Sequence, residues 1–473
     1  MQPSRSFAEH GSSGPFVVRR EAVDCDLLAL HLGAPDRYPH LLESAAHGTP
    51  QARYDILFGF PGETLTLGHE GALTGPGAED AETDFLAAFN AWWLREQVPH
   101  PAAADAPPFQ GGWFVFFGYE LARQIEPTLQ MSPAPDALPV AFATRFPAAV
   151  IRDRERGEIL LVAEEGEPAL IEAMAADLRT AHEEGAGRIA FPHDRCIDGF
   201  LTEEDPGRYL EVVQRAIDYI YAGDVFQANL SRDWRGHLKP GASHAWLYDR
   251  LRAQNPSPFG GLATLGDKAI ISSSPERLVE VRGRLIQTRP IAGTRPRGTS
   301  GLTDVALSEE LIANPKERAE HIMLVDLERN DLSRVCVPGS VKVNEDMIIE
   351  SYAQVHHIVS NVRGELHHQA APGDVVRAIF PGGTITGCPK VRCMEIIAEL
   401  EVAGRGPYTG SMGYVNRDGS MDLNILIRTI VREGDAVSVR AGAGIVADSV
   451  PERELEETRA KARALIMALV TAG

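Results

Sequence analysis

Apolar residues recur along this chain with two different periods, and the texture changes near residue 200. Tyr209, Val212, Val213, Ala216, Ile217 and Ile220 fall three and four apart, the mark of a helix with one buried face. Thr202 and Asp205 supply helix-start chemistry, Pro206 suits a first turn and Gly223 can close the helix. Further helices are predicted over "EPALIEAMAADLRTAHEEG", from about Leu307 to Asn330, from near Pro389, and from Pro451 onward. Between them lie short strand-like runs, "YDILFGF", "GGWFVFFGYEL" and "GEILLVAEE" early, then "FQANLSRDW", "GGLATLGDKAIISSSPE" and "RLVEVRGRLIQTRPI". The last third, "YTGSMGYVNRDGSMDLNILIRTIVREGDAVSVRAGAGIV", alternates strand-like runs with Gly and Asp turns. Hairpin-like strands mixed with helices predict an α+β fold built on large sheets, not a doubly wound one. The change of texture divides the chain into an N-terminal region, 1–200, and a second unit, 201–473. The Pro/Ala stretch "VPHPAAADAPP" reads as a surface loop.

Composition narrows the function. The chain has 473 residues, 44% of them hydrophobic, ample for a substantial core. With 66 acidic against 46 basic residues the net charge is -20, which repels phosphate and argues against nucleic acid or an anionic membrane as partner. A small anionic substrate stays open, because a few local cations or a metal outweigh the overall field. Cys25, Cys196, Cys336, Cys388 and Cys393 form no CxxC pair, as expected of free thiols in a reducing compartment. The first residues lack an apolar signal core, and no run approaches the roughly 20 apolar residues of a membrane span, so the expected location is the cytoplasm.

Several segments carry candidate chemistry. In "NPKERAEHIMLVDLERNDLSRV", Glu317 and Glu320 are three apart and share a helix face with His321 and Leu324 alongside. Ile322, Met323, Val325 and Leu327 crowd the same helix, which predicts burial, and buried carboxylates need a cation or hydrogen-bond partners. The final helix carries Glu457 and Lys461 four apart, an ordinary surface pair when taken alone. Brought together by the fold, Glu320 and Glu457 would suit Mg²⁺, which takes one or two carboxylates and keeps water or substrate oxygens. "FPGGTITGCPKVRCMEII" places Gly382, Gly383 and Gly387, with Thr384 and Thr386, before a helix start, an arrangement able to hold an anion. Its spacing fits neither a Walker A loop nor a dinucleotide fingerprint. Gly442 and Gly444 offer bare backbone to a carboxylate, or a tight hairpin. Arg428, inside an apolar strand-like run, needs an anionic partner if buried. One of His356 and His357 is expected to face inward, as a satisfied core residue or as a general acid or base. Arg289, Arg295 and Arg297 surround Ala292 in "IQTRPIAGTRPRG", which reads as a loop that holds an anion around an inert centre.

Taken together, "PERLVEV…RPIAGTRPRG", "KERAEHIMLVDLERNDLSRVC", "FPGGTITGCPKVRCMEII" and "GAGIVADS" resemble the chorismate-utilising enzymes: anthranilate synthase component I, aminodeoxychorismate synthase component I, and isochorismate or salicylate synthases. The resemblance is dense from about 205 to 468 and weaker in "HLLESAAHGTPQARYDILFGF". It implies two large facing β-sheets with surrounding helices, to which the N-terminal region contributes. It implies Mg²⁺ held by Glu320 and Glu457 with Glu317 assisting. It also implies that the chorismate carboxylates meet Tyr408, Arg428, the Gly442–Ala443–Gly444 backbone and Lys461. His357 would act on the departing hydroxyl, and Thr384 would line the ring.

The resemblance further separates water from ammonia as nucleophile. Water-using members carry a lysine base where this chain has Gln227, and an amide cannot deprotonate water, whereas ammonia needs no such base. No nucleophile-elbow cysteine is evident, so the ammonia is expected from a separate glutamine amidotransferase subunit. "FQANL", "NPSPFGG", "VHHIVS" and "PGGTITG" resemble aminodeoxychorismate synthases, and Ala292, where many of those have lysine, resembles anthranilate synthases; the first set weighs more. A non-catalytic sensor of chorismate or tryptophan is disfavoured because the metal and carboxylate positions are all present. A tryptophan pocket would involve Glu43, Ser44, Pro256 and Phe259. Phe259-Gly260 stands where feedback-sensitive members have Tyr-Met, so tryptophan control is expected to be weak.

Overall fold

The computed structural model describes residues 11–12, 15–23, 25–46, 52–81, 83–100, 105–183, 191–192, 194–298, 301–351 and 355–471. Residues 101–104 of the Pro/Ala stretch and 184–190 of the connection before Phe200 lie outside them. Two large antiparallel sheets dominate, one of 13 strands and one of 11 among the described residues. The first joins His40–Glu43, Tyr54–Gly59, Ala148–Asp153 and Glu158–Glu164 to Phe259–Leu265, Lys268–Ser274, Thr429–Glu433, Ala436–Ile445 and Gln227–Leu238. The second joins Thr64–Leu67, Gly112–Phe117 and Ala141–Phe146 to Ser411–Asn416, Met421–Asn424, Arg277–Arg282, Leu285–Thr288, Val355–Glu365 and Ile291–Pro296. Strands from before and after residue 200 thus share both sheets.

Alternation along each strand explains the layering. Ile56 and Phe58 point between the sheets, where they pack with Phe114, Phe142, Ile270 and Met412, while Leu57 points outward to the helices. Phe58 lies edge-on to Phe114 with ring centroids 5.3 Å apart. Each such ring, removed from water, contributes about 2–3 kcal/mol. Outside the first sheet, Pro451–Val470 buries Ala462, Leu465, Ala468 and Leu469, three and four apart, beside His244–Gln254. Outside the second, Phe85, Phe89, Trp92 and Trp93 of Phe85–Glu96 cover the strand Gly112–Phe117. No helix among the described residues is long and apolar enough to cross a membrane.

Two expected elements differ. The stretch from Leu307 to Asn330 is not one helix but two, Gly301–Ala313 and Pro315–Ser333. Pro315 cannot continue a helix, and it holds Asn314 extended at ψ 116°. The Asn314 side chain then accepts from the N–H groups of Lys316 and Glu317, at 3.0 and 3.3 Å, and starts the second helix. Ile322 is not buried with its neighbours but 51% exposed. Arg428 is not inside a strand: it ends the crossing Ile425–Arg428 between the two sheets, at φ 53°. A second crossing, Pro275–Glu276, runs the other way between Lys268–Ser274 and Arg277–Arg282. The two crossings are tied together, since Ser273 N–H donates to the Arg428 carbonyl and Ile425 N–H to that of Glu276, both at 3.0 Å.

Candidate active site

Beside the crossings, the strand Gln227–Leu238 pairs with Ala436–Ile445 so that Asn229 faces Gly444 and Ser231 faces Gly442. The two glycines therefore lie within a strand, not in a hairpin. A Cβ at Gly442 would stand 2.7 Å from the Tyr408 hydroxyl, and one at Gly444 would stand 2.7 Å from the Gln227 side-chain nitrogen. Only glycine admits these two side chains to the backbone. Ala443 points away into the core, so it offers the site backbone alone. Lys461 Nζ donates to the Gly442 carbonyl at 3.0 Å and lies 2.7 Å from Glu457 Oε1. Arg428 Nη1 donates to the Lys461 carbonyl at 2.6 Å. Tyr408, Arg428, Gly442 and Lys461 thus converge. Burial lowers the Arg428 guanidinium from its usual value and raises the Tyr408 phenol to about 12.

The second wall is the strand Ile291–Pro296, whose register slips between Ala292 and Thr294, leaving Gly293 at φ 66°. Glu317 rests on this bulge: a Cβ at Gly293 would lie 2.9 Å from Glu317 Oε2. His357 Nδ1 lies 3.0 Å from Thr294 Oγ1 and 3.4 Å from the Gly293 carbonyl. That carbonyl can only accept, so Nδ1 carries the hydrogen and Nε2 is an acceptor. Burial lowers the His357 imidazole to about 4. His356 is the satisfied core residue, bonded to Asp304 at 2.9 Å and Ser351 at 2.8 Å. The loop arginines are not available to a ligand anion. Arg289 pairs with Glu345 and Glu350, Arg295 with Glu310 and Glu317, and Arg297 with Asp304. Ala292 is buried beside Ile358.

Sequence reasoning missed Glu276. It is 6% exposed, its carboxyl lies against the Ile291 N–H and the Thr384 hydroxyl, and burial raises it to about 7. Glu276 Oε1, Thr384 Oγ1 and Asn229 Oδ1 are buried atoms without a regular hydrogen-bond partner among the described residues. The signal was "SSSPE", an acid directly after a proline between two strand runs, which reads as an exposed turn until the sheets are seen to face. Also missed was the buried network in which Glu401 accepts from Arg405 and Arg440, at 2.8 Å each, and from Ser231 N–H at 2.9 Å. These bonds hold Glu401 below its usual range despite burial and fix Arg405 on the Asn229 carbonyl at 2.6 Å. Thr386 is turned inward onto the Gly382 carbonyl at 3.0 Å, and Gly383 packs on Leu327, so this turn serves close packing.

Glu320 lies on the helix Pro315–Ser333 and Glu457 on Pro451–Val470, close enough for the charge of Glu457 to act on Glu320. Burial raises Glu320, as do Glu317, Glu457 and Glu454, while Lys316 at 3.9 Å opposes. No group of three or more His, Cys, Asp or Glu is poised around one point among the described residues. Two mutually repelling carboxylates with oxygen donors alone still fit a hard cation that needs only one or two of them. A cavity of about 790 Å³ opens beside Glu320, Cys388 and Phe226. A separate cavity of about 200 Å³ is lined by Leu42, Glu43, Ser44, Pro258, Phe259 and Met412 among others. Ser44 Oγ donates to the Pro258 carbonyl at 2.8 Å, and Glu43 is held by Tyr248 at 2.9 Å and by Arg154 and Arg252. Pro256 is exposed and outside that lining, where Pro258 stands instead.

The family described as chorismate binding enzyme matches residues 50–467. The chain belongs to this family. It is an enzyme that acts on chorismate. It is 41% identical to aminodeoxychorismate synthase component 1 of Bacillus subtilis over 92% of this chain and 93% of that protein. It is equally 41% identical to anthranilate synthase component 1 of Thermus thermophilus, over 91% of each. Among solved structures it is similar to anthranilate synthase component I from Streptococcus pneumoniae, with a TM-score of 0.74 at 32% identity, covering 89% of this chain and 93% of that one. The two facing sheets therefore agree with the fold of a chorismate-binding enzyme.

Proposed function

We propose that the chain is the aminating component of an aminodeoxychorismate synthase, converting chorismate and ammonia to 4-amino-4-deoxychorismate for p-aminobenzoate and folate synthesis. What supports amination is an acid without a matching base, and what supports ring carbon 4 is the set "FQANL", "NPSPFGG", "VHHIVS" and "PGGTITG". Burial raises Glu276 to about 7, so it can hold a proton into the neutral range, while the residue over Gly444 is the amide of Gln227. An amide orients a nucleophile by hydrogen bonding and cannot deprotonate one, so ammonia fits and water does not. Arg428, Tyr408, Lys461 and the Gly442–Gly444 backbone bind the substrate carboxylates. Glu276 gives its proton to the departing hydroxyl, which leaves as water. His357, neutral and presenting Nε2 as an acceptor, orients that hydroxyl and is not the proton donor. Mg²⁺, held by Glu320 and Glu457, would neutralise a substrate carboxylate and fix its position. The ammonia comes from a separate glutamine amidotransferase subunit.

A second reading has an observation in its favour: Ala292 leaves the inner loop without an amine, as anthranilate synthase chemistry at ring carbon 2 requires. Product analysis separates the two. Chorismate, ammonium and Mg²⁺ should give a product that aminodeoxychorismate lyase turns into p-aminobenzoate, resolved by chromatography. Fluorescent anthranilate formed without the lyase as the main product would replace the first reading by the second. Glutamine should serve only when an amidotransferase subunit is added, and glutamine-dependent turnover by the chain alone would refute the partner.

A further inference from the structure

Every turnover that begins with a proton on Glu276 ends with a bare carboxylate sealed from solvent, so the site needs a way to reload it. A second buried carboxyl lies close by on the helix Pro315–Ser333. Glu328 is 5% exposed, and its Oε1 would lie 3.3 Å from a Cβ at Gly383. Gly383 immediately precedes Thr384, whose hydroxyl lies against Glu276. On the other side, the Thr288 hydroxyl interacts with Glu328, three residues before Ile291, whose N–H lies against Glu276. The two carboxyls are thus flanked by the same two short segments, and Glu328 feels the charge of Glu276 directly. One turn further along the helix, Asp331 is paired with Lys390, whose Nζ also donates to the Ile379 carbonyl at 3.0 Å. Asp331 and Lys390 line the cavity of about 790 Å³ that opens to solvent.

We propose that Glu328 is a relay residue, carrying a proton from the Asp331–Lys390 pair at the cavity wall to Glu276 between turnovers, directly or through one water. The inference rests on the reading that Glu276 is the proton donor. Atoms balance. The ammonia lone pair forms the C–N bond, and the C–O bond breaks with its electron pair on oxygen. That oxygen takes the Glu276 proton and leaves as water. The new ammonium group loses one proton to solvent, and one proton returns to Glu276 by way of Glu328. The charged groups facing Glu328 are Asp331 on its own helix, Lys390 on the helix Lys390–Leu400 and Glu276 on the inter-sheet crossing. Burial and the charge of Asp331 raise it above the usual carboxylate range, which favours its holding a proton to pass on. A relay also accounts for a cluster that stability alone disfavours, because the two buried carboxyls of Glu328 and Asp331 share one lysine, Lys390.

The test compares Glu328→Gln, Glu328→Ala and Glu276→Gln in the full chain, with chorismate, ammonium and Mg²⁺. Glu328→Gln should lower kcat about 10–100-fold with KM for chorismate within about twofold, and should increase the solvent deuterium isotope effect on kcat. Formate should restore activity to Glu328→Ala, and chloride should not. Wild-type kcat, pH profile and isotope effect in Glu328→Gln would overturn the relay, as would a raised KM with no rescue by formate. If Glu328→Ala does not fold, the isotope effect and pH profile of Glu328→Gln decide alone. Full activity in Glu276→Gln would instead remove the proton-donor reading itself. An inactive Glu276→Gln beside a normal Glu328→Gln removes only the relay.

Discussion

Replacing Glu276 by glutamine separates what this carboxyl does for the reaction from what it costs the fold. The native carboxyl titrates at about 7 in place of the usual 4.5, chiefly because burial disfavours its charge. Folding therefore opposes its ionisation, and the sign follows. Stability is unaffected by this group below pH 4.5, falls as pH rises from 4.5 to about 7, and is level above. The interval, at about 1.4 kcal/mol per pH unit, corresponds to about 3 kcal/mol at pH 8. Glutamine has the same shape and no charge, and its carbonyl can still accept from the Ile291 N–H. Unfolding entropy of about 2.1 cal/mol/K per residue makes 1 kcal/mol worth about 1 °C in a chain of this size. The variant should melt about 3 °C higher than the native protein at pH 8, with the gain vanishing toward pH 4.5. Its turnover should fall about 10²–10⁴-fold, the usual worth of a positioned acid. Differential scanning calorimetry from pH 5 to 8.5, beside steady-state turnover of chorismate with ammonium, reads both quantities. An equal melting difference at pH 5 and pH 8, or turnover within twofold of native, would refute the reasoning.

Other outcomes follow from the same geometry. Glu457→Gln should abolish Mg²⁺-dependent turnover, since it removes one of two charged ligands; full activity of the native chain in EDTA would contradict the metal assignment. Micromolar tryptophan should not inhibit, because Phe259-Gly260 leaves the 200 Å³ cavity without the longer side chain expected there; inhibition in a steady-state assay would count for anthranilate synthase. His40 is buried, stacked on Phe114 with centroids 4.1 Å apart, and lowered to about 3. Its neutral form is the folded one, so stability should drop by about 2 kcal/mol between pH 7.5 and pH 5. Thermal melting of His40→Gln, compared with the native chain, should show a smaller loss over that interval.

What the residues alone determined was short-range. The helix Pro206–Tyr221 was legible because its apolar face repeats every three to four residues and Asp205 caps it, accepting from Gly207 N–H at 3.0 Å. The strand pairs Phe259–Leu265 with Lys268–Ser274, and Arg277–Arg282 with Leu285–Thr288, were legible because alternation and turn residues are written within about fifteen positions. Pro315 was visible too, but a sustained apolar pattern masked the break it imposes. The resemblance named Tyr408, Arg428, Lys461 and the glycines, and the fold brings them together. What only the tertiary structure decided was which polar groups are sealed from water. Pro275–Glu276 and Ile425–Arg428 read as parts of strand-like runs in sequence, yet both cross between two facing sheets, where a carboxyl and a guanidinium lose their hydration. Glu401 reaches Arg405 within one helical turn's spacing, but Arg440 and Ser231 come from strands far along the chain. Burial of charge depends on long-range packing, and no local pattern encodes it.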